Sequence, residues 1–184
     1  MLRYPFDVGA SRFTVQAFAS GLLRLFAHNP TLAAREFSGE MSFEPDTFAN
    51  ASVRIVAKAA SLRLTDDLGA KDRQEIERVT HEDVLETSRH PEIRFDSNAV
   101  TVTTGGGAAR VRMSGTLSLH GKERPVDVDG TLGILGDTIR LSGSTMLRQS
   151  DYGIKPVRAA GGMIAAKDEV KISFDLVGRR KNVE

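Results

Sequence analysis

The chain has 184 residues, 40% of them hydrophobic, and a formal net charge of +1, a size and balance that fit one globular domain. No apolar run approaches the roughly 18 residues of a membrane-spanning helix, so the chain is expected not to be transmembrane. The near-neutral charge points to no polyanion, and the densest basic cluster, Arg179-Arg180-Lys181, reads as a solvated tail, so no nucleic-acid partner is expected. There is no cysteine, which excludes disulfides, thiol catalysis and thiolate metal ligation.

The N-terminus, Met1-Leu2-Arg3-Tyr4-Pro5-Phe6-Asp7, lacks a charged region followed by a secretory apolar core. The expected location is cytoplasmic, or periplasmic if a leader has been removed. In chain order, Phe13, Val15, Ala17 and Ala19 alternate with Arg12, Thr14, Gln16 and Phe18, which predicts a first strand. Gly21 to Leu32 is a connection that turns Leu22, Leu23, Leu25 and Phe26 inward, with Asn29-Pro30 as a turn. Ala34 to Glu44 is a second strand, ended by Pro45, with Phe37, Gly39, Met41 and Phe43 on one face. Ser52 to Leu64 is a third, with Val53, Ile55 and Ala57 on its dry side.

The period then changes. Asp66 to Arg89 carries Leu68, Ile76, Val79, Val84 and Leu85 at helical spacing among many charges. Thr80 with Asp83 resembles a capping box, which predicts a break and a second short helix, and Pro91 ends the helical part. From Glu92 onward the pattern is strands. Ile93 and Phe95 begin one, and Gly105-Gly106-Gly107 reads as a hairpin turn. Between Ala109 and His120, Val111, Met113, Gly115, Leu117 and Leu119 alternate with Arg110, Arg112, Ser114, Thr116 and Ser118. Val126, Val128, Gly130, Leu132 and Ile134 share a face, and Gly136-Asp137 turns the chain into Ile139 and Leu141. After a loop from Ser150 to Asp168, Val170, Ile172, Phe174 and Leu176 alternate with Lys171, Ser173 and Asp175 in a last strand.

Successive side chains of a strand point to opposite faces, so each of these strands has one dry and one wet face. Many such strands joined by short turns predict an all-β, antiparallel closed barrel of about eight strands with a small helical insert. A barrel of that size can hold a small apolar ligand. Phe13, Val15, Met41, Phe43, Val111, Met113, Leu117, Leu119, Ile172 and Phe174 are expected to face inward as its lining. Arg148, Tyr152 and Lys155 sit in Arg148-Gln149-Ser150-Asp151-Tyr152-Gly153-Ile154-Lys155-Pro156, which reads either as a structured turn or as a polar rim for a ligand head group. Asp72 and Arg73 are expected to meet that segment at one barrel mouth through an Asp–Arg pair.

Catalytic and metal signals are weak. His28, His81, His90 and His120 include no i, i+4 pair and no HExxH pattern, and they read as solvated histidines, with no metal expected. There is no GxSxG elbow, and the glycine triplet is not followed by GK[ST]. The charges of Lys71 to Arg89 read as a solvated helix face with pairs such as Arg73 with Glu77.

Several segments nevertheless form an ordered set. They are Ala60-Ser61-Leu62 with Lys71-Asp72-Arg73, His90-Pro91-Glu92-Ile93-Arg94-Phe95-Asp96-Ser97, Ser114 to Val126 with its Leu119-His120-Gly121 centre, Arg148 to Ile154, and Asp168-Glu169-Val170-Lys171-Ile172. From about Phe13 to Val177 the chain resembles the YceI-like polyisoprenoid-binding family. The resemblance implies one lipocalin-like barrel domain over residues 1–184. It also implies an interior that takes a long isoprenoid or fatty chain for carriage, storage or protection, no catalytic residues and no cofactor. Ala17 stands where the family's first strand carries a histidine, so any role of that histidine is lost here. A homodimer is also carried as an expectation. Two rival functions stay open. One is an enzyme acting on a lipid-like substrate at the mouth through Asp151, Tyr152, Arg148 and His120. The other is an interaction module whose barrel is filled by its own side chains.

Overall fold

The computed structural model describes residues 1–20, 29–105, 108–159 and 164–181. Leu22, Leu23, Leu25, Phe26 and His28 lie outside them, as do Gly106 and Gly107 of the expected hairpin turn.

The strands are β1 (Leu2–Pro5), β2 (Arg12–Ser20), β3 (Thr31–Ala34), β4 (Phe37–Phe43), β5 (Ser52–Lys58) and β6 (Leu62–Leu64), then β7 (Glu92–Thr103), β8 (Ala109–Leu119), β9 (Lys122–Leu135), β10 (Thr138–Arg148), β11 (Arg158–Ala159) and β12 (Ile164–Arg179). The helix α1 (Ala70–Val79) runs on into a π turn at Thr80–Val84. Every pairing is antiparallel, in the order β1-β4-β5-β7-β8-β9-β10-β12-β2-β3-β6, with β11 branching off β12.

This ladder is not the expected closed eight-strand barrel. It is one open path of eleven strands whose ends are β1 and β6. The cause is the length of β12, whose 16 residues outrun any single neighbour. On the edge away from β10, its stretch from Ala165 to Asp175 pairs with β2, and Gly178 then makes an isolated bridge to Phe6, just past β1. β2 leads on to β3 and β6 and so extends the sheet. Alternation shows which face a residue takes but not which strand it meets, so the path could not be counted from it.

The faces themselves follow the pattern. Every odd position of β8 from Ala109 to Leu119 is buried, and every even one is exposed or half-buried. Val170, Ile172, Phe174 and Leu176 are buried along β12. They join Met41, Phe43, Val111, Met113, Leu132, Ile139 and Leu141 in one core inside the curl of the sheet. The outer face carries charge pairs between neighbouring strands, such as Arg112 with Asp127 and Arg140 with Asp175.

The helical insert differs from expectation in two ways. Thr80 does not cap a second helix; its hydroxyl donates to Ile76 O at 2.7 Å, and Leu85 N bonds to Thr80 O, so the helix widens into a π turn without a break. Arg73 does not meet the Arg148–Lys155 segment. Its guanidinium donates to Leu64 O at 2.7 Å and to Asp66 O at 2.9 Å, which pins α1 to the end of β6. Long charged side chains reach nearby carbonyls more readily than distant partners, and these lie seven and nine residues back. No described helix is long and apolar enough to cross a membrane.

Candidate functional site

The interior holds a cavity of about 50 Å³ lined by side chains of β2, β5, β7, β8, β9, β10 and β12. Phe13, Met113, Leu117, Ile172 and Phe174 line it, as the alternation placed them. Met41, Phe43, Val111 and Leu119 are buried in the same core beside it, and Val15 is half-buried against that core. The lining is completed by Val53, Ile55, Phe95, Val126, Val128, Leu141, Thr145 and Leu147. Most of these sit on dry faces visible in the sequence. What alternation could not supply is which dry-face residues surround the gap.

Thr145 is the one polar residue of this lining, and its hydroxyl is turned to Asp127 O. Such a site offers an apolar chain dispersion and release of water, with nothing to orient a polar group. At about 50 Å³ the gap is far below the roughly 300 Å³ or more of a ligand pocket, so the side chains fill most of the interior in this state. Half-buried Phe95, Val126 and Thr145 mark where the lining comes nearest to solvent.

One end of the sheet is polar. Arg148 and Lys155 are exposed and Tyr152 is buried. Burial, aided by the Asp151 charge, pushes the Tyr152 hydroxyl above its ordinary pKa. The Gln149–Tyr152 turn is held by Asp168, which accepts from Ser150 N at 2.8 Å and from Ser150 Oγ at 2.6 Å. The Ser150 hydroxyl and amide hold the Asp168 carboxyl below its usual range.

A cluster that joins a local pair, Glu86 and His90, to the distant His120 lies beside this turn. Glu86 follows the π turn, His90 precedes β7, and His120 sits between β8 and β9. One ligand atom of each lies within 4.8 Å of the other two. His120 Nε2 is 3.0 Å from Glu86 Oε2, and His120 Nδ1 is 3.3 Å from Tyr152 O. The His90 and His120 rings stand 4.4 Å apart, centroid to centroid. A hydrogen bond from Arg89, and then the His120 contact, hold the Glu86 carboxyl below its ordinary pKa against partial burial. His120 meets Tyr152 through the backbone carbonyl, while Arg148 and Asp151 point their side chains to solvent. The four residues of the enzyme alternative are therefore not drawn into one constellation by this contact.

The model of the YceI-like domain matches residues 7–178. The chain belongs to the YceI-like family. The motif resemblance is thereby borne out. The chain is also 24% identical over 152 residues to a "UPF0312 protein" of Pseudomonas savastanoi pv. phaseolicola and, at the same identity, to one of Pseudomonas syringae pv. syringae; the match spans 79% of this chain and 72% of each relative. Among solved structures, BcnA of Burkholderia cenocepacia superposes with a TM-score of 0.72 at 23% identity, covering 94% of this chain and 98% of that one. A polyisoprenoid binding domain from Saccharophagus degradans, implicated in plant cell wall breakdown, superposes with a TM-score of 0.71 at 17% identity, covering 98% of this chain and all of that one. At these identities the structural likenesses establish the YceI-like fold.

Proposed function

We propose that this YceI-like protein binds a long-chain apolar molecule, a polyisoprenoid or a fatty-chain lipid, inside the curled sheet, as a carrier or store and not as a catalyst. The observation that carries this reading is the cavity. Strands distant in sequence converge on it with almost wholly apolar side chains, and Phe13, Met113, Leu117, Ile172 and Phe174 give it its walls. The Saccharophagus degradans neighbour, described as polyisoprenoid-binding, supports the same ligand class.

Burying apolar area is favourable by about 25 cal/mol per Å², so a hydrocarbon chain gains with each segment that leaves water. The small gap in this state implies that a chain enters by displacing side chains. Met113 suits that role, because an unbranched thioether repacks easily. Arg148, Tyr152 and Lys155 then serve a polar head group at the rim.

The test is organic-solvent extraction of the purified full chain followed by mass spectrometry, with a long-chain polyprenol and a fatty acid offered in parallel to delipidated protein. Co-purification or stoichiometric uptake of either supports binding. Clean extracts together with no uptake would leave a side-chain-filled interaction module as the better account.

A further inference from the structure

We infer that Glu86, His90 and His120 form a binding site for a single divalent transition-metal ion of the Zn²⁺ class, at the polar end of the sheet. The His120 ring lies at the centre of the cluster, between the Tyr152 carbonyl and the Glu86 carboxylate. Nδ1 lies 3.3 Å from the carbonyl oxygen of Tyr152, an acceptor that favours the tautomer with its hydrogen on Nδ1. In the neutral ring this leaves a bare lone pair on Nε2, which points at a carboxylate oxygen 3.0 Å away. Two acceptors do not face each other at that distance without a positive charge between them. A cation bound between them would satisfy the ring lone pair and the carboxylate together.

The surroundings favour the cation. A third donor, a ring nitrogen of His90, lies within 4.8 Å of both other ligand atoms. Tetrahedral zinc with bonds near 2.0–2.1 Å places its ligand atoms about 3.3 Å apart, so the 3.0 Å between His120 and Glu86 is already close to one edge of that figure. Two imidazoles and a carboxylate are a known zinc donor set that leaves one position open. The Tyr152 carbonyl plays the orienting part that ligating histidines commonly need on their other nitrogen.

The backbone carries the same message. His120 and Gly121, at φ 52° and 71°, are the two central residues of the β8–β9 hairpin, a type I′ turn that favours Asn-Gly. Glu86 is also left-handed, at φ 44°. Histidine in the asparagine place gives up turn preference for a side chain that reaches Glu86. A Cβ at Gly121 would lie 2.9 Å from the His90 ring, so the glycine lets His90 close over the turn. The three ligands are half-buried, with side-chain exposures of 14% for His120 and 33% for Glu86; Glu86 and His90 belong to one turn, closed by His90 N donating to Glu86 O at 3.0 Å, and His120 comes from the β8–β9 hairpin. A bound ion ties the end of the helical insert and the approach to β7 to the β8–β9 turn, and through His120 to the Tyr152 turn.

The full chain, stripped with a chelator and desalted, is titrated with Zn²⁺ against a chromophoric competitor, and separately with Co²⁺ to read its visible absorption. The expected result is one equivalent bound, tetrahedral-type Co²⁺ bands, and a higher melting temperature with metal. Glu86→Gln and His90→Gln are expected to weaken Zn²⁺ at least tenfold. His120→Asn is the decisive variant, because it restores the residue the turn prefers. It is expected to fold at least as well without metal, and to lose both the Co²⁺ bands and the thermal shift. His81→Gln, at a histidine outside the cluster, is expected to leave binding intact. Absence of stoichiometric binding in the parent chain, or undiminished binding in His120→Asn, would overturn the assignment.

Discussion

Phe174 lies across the space where a side chain at Gly143 would stand. The two are register partners between β10 and β12, and a Cβ built on Gly143 would fall 2.7 Å from Phe174 Cζ and 2.6 Å from Asp129 O. Gly115 does the same for Phe95, whose ring atoms would be 2.8 Å from an added Cβ. Both rings line the cavity, so two glycines set how far the cavity walls can withdraw. Gly143→Ala is expected to destabilise by about 1–3 kcal/mol through overpacking, seen as a lower urea midpoint with unchanged slope. Phe174→Leu in the same background should recover part of the loss. The backbone oxygen of Asp129 stays in the way, so recovery is incomplete.

Met113 is 2% exposed and Leu141 wholly buried, and both touch the cavity. Met113→Ala and Leu141→Ala are each expected to cost about 2–5 kcal/mol, because removing buried methylenes loses their transfer energy and leaves a larger void. If the interior is the binding site, added farnesol should raise the melting temperature of these variants more than that of the parent chain. An equal shift in all three would place the ligand elsewhere.

The Ser150–Asp168 link has a defined acid limit. The Asp168 carboxyl is held below its ordinary value of about 3.9 in the folded protein, so its contribution is present above that value and is lost as pH falls through the lower folded one. An NMR titration of the Ser150 amide is expected to show a midpoint below about 3.9. Ser150→Ala removes the hydroxyl donor and should bring the Asp168 midpoint back up. No movement between parent and variant would show that the hydroxyl bond is not what lowers it.

Head-group recognition predicts a split between ligands. Tyr152→Phe and Lys155→Ala should weaken binding of a polar-headed lipid while leaving an unfunctionalised hydrocarbon unaffected. Equal losses for both ligands that track a fall in melting temperature would assign Tyr152, which is buried, to holding the turn.

Much of the fold was legible because strands write burial at period two. Val111, Met113, Leu117 and Leu119 are buried as their spacing says, and so are Ile172 and Phe174. What failed to show is what period two does not encode. β1 is four residues long with Pro5 at its end, too short for a pattern. β3 and β4 read as connection and strand, although the extended backbone is interrupted between them by a bend at Arg35 and Glu36. The run from Ser52 to Leu64 bends at a 3-10 turn over Ala59–Ser61 because Ser61 Oγ bonds Lys58 O, a local contact no periodicity reveals. The Glu86–His90–His120 cluster was invisible for another reason. Glu86 and His90 share one local turn, but His120 lies 34 residues beyond Glu86 and joins them only through the docking of the helical end on the β8–β9 hairpin. The local hints were a histidine before Gly121 in a two-residue turn and the four-residue spacing of Glu86 and His90.

The central claim is that an apolar chain occupies the inside of the curled sheet, and methyl NMR tests it most directly. With the Met, Ile, Leu and Val methyls labelled, delipidated protein is titrated with a long-chain polyprenol. The account predicts saturable shifts at the cavity methyls of Met113, Leu117, Val128, Leu141, Leu147 and Ile172, with the exposed methyls of Leu135 and Met146 unmoved. Shifts confined to Leu135 and Met146, or no saturable shift at a cavity methyl, would contradict it.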